Sequence, residues 1–113
     1  MRRKILPMLD TIQQILQDLK HSNSQIREAA LDKVGEMKPD RAIALLVPFL
    51  SDTDEGVRET AACNLGFVHE NAAIPYLIKT VKEDSSEKVR AQALLSLNLK
   101  RVYFNAERHY VLK

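Results

Sequence analysis

His69 and Glu70 stand side by side in the chain, and a histidine–carboxylate pair is the kind of group that ligates a metal or relays a proton. A metal centre needs three or four such donors converging on one point, and the sequence holds no second His-Glu pair. His21, His69 and His109 are scattered along the chain, and none falls into a Ser-His-Asp or Cys-His arrangement. Cys63, the single cysteine, has no base placed to activate it. The three glycines form no phosphate-cradling loop. The expectation is a protein with no catalytic residue, no metal, no cofactor and no evident small-molecule substrate, and hence not an enzyme.

Charge points to no special partner either. The net charge is +2, from 17 basic and 15 acidic side chains, too balanced to argue for nucleic acid. Basic residues gather at the ends, with Arg2, Arg3 and Lys4 at one and Lys100, Arg101, Arg108 and Lys113 at the other. Both clusters read as solvated termini. A lone cysteine fits a reducing compartment. The apolar run Ile5 to Leu9 contains a proline and stops at Asp10, too short for a secretory signal. No stretch approaches the roughly 18 apolar residues of a membrane span. A cytoplasmic location away from membranes is expected.

The elements that position these side chains follow from an internal repeat. Ile26-Arg27, Val57-Arg58 and Val89-Arg90 recur at spacings of 31 and 32. Ala30, Ala61 and Ala93 follow in register, then Val34, Leu65 and Leu97, then Gly35, Gly66 and Asn98. Upstream, Ile12, Ile43 and Ile74 align, as do Ile15, Leu46 and Leu77, and Leu19, Leu50 and Val81. Each copy holds two patterns with one apolar face at helical spacing. The spacing predicts helices over 8–20, 24–36, 41–51, 54–68, 72–83 and 86–100. Ser22, Thr53 and Ser85 are the expected N-caps, with Gln25 completing a capping box on Ser22. Gly35 and Gly66 suit a left-handed residue or a close helix contact, and Pro39 breaks the chain after the first pair. The alanine column lets helix axes approach closely. The expected architecture is one domain over 1–113. Its helix pairs span about 8–37, 38–68 and 69–100, and residues 101–113 form a cap or partial repeat.

The block from Asp52 to Gly66, Asp-x-x-x-x-Val-Arg-x-x-Ala-Ala-x-x-Leu-Gly, resembles the short-period HEAT-like repeat of phycobilisome lyase subunits and many small prokaryotic proteins. Asp84 to Asn98 is a second copy, and Ala73-Ile74-Pro75-Tyr76-Leu77 resembles the start of the next first helix. The resemblance covers about residues 12 to 100. It implies an all-α, right-handed α-solenoid of about three helix pairs, with the second helices lining a concave face. It also implies a ladder in which turn aspartates meet helix arginines: Asp52 with Arg58, Asp84 with Arg90, and cross-repeat partners among them. His21 replaces the first aspartate, so the ladder is expected to end there. Deoxyhypusine hydroxylase, a HEAT-like iron enzyme, carries His-Glu pairs at the start of second helices. The matching positions here are Arg27-Glu28, Arg58-Glu59 and Arg90-Ala91, so His69-Glu70 reads as a loop between repeats.

The non-core positions of the second helices form further columns: Asp32, Cys63, Leu95; Glu36, Phe67, Leu99; and Ala29, Thr60, Gln92. The first two turn from acidic to apolar along the stack. Glu59, Cys63, Phe67, Gln92, Leu95 and Leu99 are the candidate partner-binding residues. Two readings of the apolar end stay open: a partner site, or a surface covered by Tyr103, Phe104, Tyr110, Val111 and Leu112. The expected function is a non-enzymatic scaffold or adaptor presenting a concave groove to a protein partner. An accessory subunit of a bilin-lyase-like complex and a nucleic-acid-binding module are the alternatives.

Overall fold

The computed structural model describes residues 11–111, with side chains for residues 11–101. Six helices follow one another, and no strand occurs among the described residues. They are α1 (11–18), α2 (Ser24–Val34), α3 (Pro39–Leu46), α4 (Glu55–Phe67), α5 (Ile74–Glu83) and α6 (Glu87–Val111). Successive helices pair as α3 with α4 and α5 with α6, and α1 with the turn that follows it adds Ile15 and Leu19 to the common core. Across the pairs, α4 packs on α2 and α6 packs on α4. The result is an α-solenoid, in which each unit is stabilised mainly by its neighbours. The expected start of the first helix at residue 8 lies outside the described residues.

The repeat columns form the core. Leu46 and Leu77 of the first helices, and Leu31, Val34, Val57, Leu65 and Val89 of the second, are fully buried. Each such side chain contributes about 1.5–3 kcal/mol by leaving water. Ala30, Ala61 and Ala93 are buried beside them. The small column therefore sits where helices meet.

Several local expectations shift by a residue or a role. The N-caps are Asn23, Asp54 and Ser86, not Ser22, Thr53 and Ser85: their side chains accept from the Gln25, Val57 and Val89 amides. The cause lies two residues upstream. His21 Nδ1, Asp52 Oδ1 and Asp84 Oδ1 accept from the amides of Asn23, Asp54 and Ser86 at 2.8–2.9 Å. That turn moves the cap one position along and leaves no capping box on Ser22. Pro39 starts α3 instead of only ending what precedes it, because its missing N–H and fixed φ suit the first helical turn. Pro48 falls in a 3-10 stretch, Val47–Ser51, that closes α3. Neither Gly35 nor Gly66 is left-handed; both serve close contact. A Cβ on Gly66 would lie 2.9 Å from the Ser96 backbone. Finally, α6 runs on to Val111 without the break expected at residue 100.

Candidate functional site: a protein interface on the second helices

The arginine column fixes the second helices against one another. Arg27 donates from Nε and Nη2 to Asp52 Oδ2 and Oδ1 at 3.1 and 2.9 Å. Its Nη1 donates to the His21 and Ser22 carbonyls. Arg58 repeats the pattern one pair on. It reaches Asp84 Oδ2 at 3.0 Å and Oδ1 at 3.4 Å, and its Nη1 reaches the Asp52 and Thr53 carbonyls. Arg90 holds the Asp84 carbonyl at 2.7 Å. Arg27 and Arg58 thus bind their own turns through carbonyls and the next turn through a carboxylate, a bidentate geometry that lysine cannot reproduce.

Of the expected partners, the cross-repeat pair Arg58 and Asp84 carries the carboxylate contact, and the pairs within one repeat do not. Arg58 meets Asp52 only through its carbonyl, and Asp84 is joined to Arg90 in the same way. Because the carboxylate rungs run forward, His21 does not end the ladder. It fills the turn role of aspartate, and the first rung starts from Arg27, absent from the expected ladder. Burial pushes the Asp52 carboxyl up. The hydrogen bonds from Arg27 and the Asp54 amide, with the charges of Arg27 and Arg58, outweigh it and hold the group below its ordinary 3.8.

So fixed, α2, α4 and α6 line a shallow hollow of about 260 Å³ bounded by Glu28, Asp32, Gly56, Glu59, Thr60, Cys63 and Gln92. Gly56 makes room for Glu28, whose Oε1 a Cβ there would strike. Asn64 Nδ2 donates to Asp32 Oδ1 at 2.9 Å, so one carboxylate of the hollow is held from the next pair. Glu59, Cys63 and Gln92 of the expected set come together here, each half-buried. Burial pushes the Cys63 thiol above its ordinary 9.0, and Asp32 and Glu59 push it further. It stays protonated and a poor nucleophile at neutral pH.

One turn along from the hollow the surface becomes apolar. Phe67 is 60% exposed and Leu95 62%, while Leu99 is half-buried. The aromatic and aliphatic side chains expected to cover them, from Tyr103 to Leu112, lie outside the described side chains. Lys100 departs from expectation most. It is 5% exposed, not solvated, and its Nζ donates to the carbonyls of Val68 at 2.6 Å and Glu70 at 3.0 Å. Burial pulls its pKa below 10.5. The lysine closes the end of α4 just behind Phe67. The signal was in the repeat: residues 37, 68 and 100 form a column reading Met, Val, Lys. Ser96, also missed, donates to the Ala62 carbonyl at 2.7 Å and seals α6 on α4.

A larger cleft of about 530 Å³ lies on the first-helix side, between Val47, Pro48 and Leu50 and the α5 residues Tyr76, Lys79 and Glu83. Its open, mixed-charge lining gathers no reactive set. Among the described residues, no three His, Cys, Asp or Glu side chains are placed to hold a metal ion. None of the described helices is long and apolar enough to cross a membrane.

No curated protein gives a significant match to the chain. A family model for HEAT repeats matches residues 10–98. That span takes in α1 to α5, the first part of α6, both arginine–aspartate rungs and the hollow, and the chain belongs to the HEAT-repeat family.

Proposed function

We propose that the chain is a non-enzymatic adaptor that grips a protein segment along its second helices. The observation that carries this reading is the exposure of Phe67 and Leu95 beside an acidic hollow. Large apolar side chains at the rim of a concave site are the usual anchors of an interface, and charge around them sets orientation. The fitting partner is an extended or helical segment with apolar residues followed by lysine or arginine. Its basic part would lie over Glu28, Asp32 and Glu59 and its apolar part on Phe67, Leu95 and Leu99. The same acidic lining repels phosphate, which disfavours nucleic acid on this face.

The test joins Phe67→Ala with Leu95→Ser and measures melting temperature and retention of co-purifying proteins together. The expected result is loss of the wild-type's retained proteins with little change in melting temperature, since exposed positions tolerate polarity. Unchanged retention overturns the proposal. A large drop in melting temperature shows instead that these side chains serve the fold.

A further inference from the structure

The hollow gathers carboxylates and no cation. Glu28, Asp32 and Glu59 line it without a lysine or arginine among them, and none of these acids enters an ion pair among the described residues. Asn64 donates to Asp32, and the Thr60 hydroxyl to Glu28. Such neutral donors orient a carboxylate but leave its charge in place. Burial raises the Cys63 thiol, and the charges of Asp32 and Glu59 raise it further, which marks the hollow as electronegative. Phe67 and Leu95 stand exposed one turn beyond. This surface is the complement of a short segment with cations at one end and aliphatic side chains at the other. The chain contains that segment. Arg2, Arg3 and Lys4 run directly into Ile5 and Leu6, and no other stretch of the sequence sets three cations in a row.

We propose that Arg2 to Leu6 dock on the second-helix face of their own chain, the three cations over Glu28, Asp32 and Glu59, and Ile5 and Leu6 against Phe67 and Leu95. The inference rests on the binding face proposed above and deepens it: the chain's own segment is the first occupant, which an incoming protein must displace. Reach permits this. The segment is tethered at Thr11, the start of α1, and the stretch from residue 2 to residue 11 spans up to about 30 Å when extended. α1 is about 12 Å long and leads through residues 19–23 into α2, which carries Glu28 and Asp32. Exposed ion pairs are individually weak, but a tethered ligand acts at a local concentration in the millimolar range.

The test follows backbone-amide and leucine-methyl NMR signals of the full chain. Arg2→Glu, Arg3→Glu and Lys4→Glu in combination should move the signals of Glu59, Cys63, Gln92 and Leu95 and leave Tyr76 and Lys79, on the first-helix side, in place. Salt at about 0.5 M should move the wild-type signals toward those of the charge-reversed chain. A synthetic peptide of residues 1–10 should bind the charge-reversed chain at the same signals, about tenfold more tightly than the wild type, whose own segment competes. Coincident signals in the two chains, or equal affinity for the peptide, overturn the proposal. So do wild-type signals that shift with protein concentration, which would put the segment on a second copy. If docking fails in any of these ways while the Phe67→Ala, Leu95→Ser chain still loses its retained proteins, only the internal occupant is overturned and the binding face stands.

Discussion

At the scale of single residues, Asp52 does three things with one carboxylate. It accepts the Arg27 fork, accepts the Asp54 amide to shape its turn, and feels the charge of Arg58. Its acidity is therefore coupled to folding. A carboxyl held below its unfolded value adds stability that is fully present above that value and is lost as pH falls through the folded one. Asp52→Asn should lower stability at pH 7 by about 1–3 kcal/mol, because a charged hydrogen-bond acceptor is replaced by a neutral one. The gap between wild type and variant should narrow as the pH drops below about 4. Thermal melts of both proteins between pH 7 and 3 check this. A gap that stays constant throughout would mean that Asp52 keeps an ordinary acidity in the fold. Lys100 shows the other side of residue chemistry: a cation is accepted at a buried position because two carbonyls at the end of α4 meet it.

At the scale of elements, the contact of α4 with α6 is set by what is missing from Gly66. An added methyl would meet the Ser96 Cβ at 2.7 Å and its Cα at 2.9 Å, so the helices must separate. Gly66→Ala should cost about 1–3 kcal/mol by overpacking. Gly35→Ala should cost much less, because what it meets is the Asn64 side chain and not backbone. Urea melts of the two variants check the ranking, and equal midpoints would contradict it. The helix pairs were legible in the sequence because apolar residues recur at both helical and repeat spacing, and burial follows that recurrence directly. The turns were less legible. Ser22 and Asn23, Thr53 and Asp54, and Ser85 and Ser86 are all competent caps, and only the side-chain acceptor at 21, 52 or 84 decides between neighbours. The direction of the ladder was hidden for a related reason. Each inner aspartate lies six residues before one arginine and 25 or 26 after another, and spacing along the chain does not say which guanidinium turns toward it. Glu59 and Leu99 look free on a single helix, yet both are half-buried in the fold.

At the scale of the whole molecule, stability and recognition depend on the same seams. A stack in which each unit touches only its neighbours is as rigid as its weakest junction, and the hollow draws residues from α2, α4 and α6. Weakening either junction would let Glu28, Cys63 and Gln92 drift apart. Forward rungs from Arg27 to Asp52 and from Arg58 to Asp84 join three pairs into one surface, with side chains at the second rung only 15% and 7% exposed. A double-mutant cycle centred on Arg58 tests this directly, pairing Arg58→Ala once with Asp84→Asn and once with Asp52→Asn in denaturant melts. The forward ladder predicts a coupling of about 1–3 kcal/mol between Arg58 and Asp84, and one well under half as large between Arg58 and the Asp52 carboxylate. A larger coupling to Asp52 than to Asp84, or none to either, would contradict it.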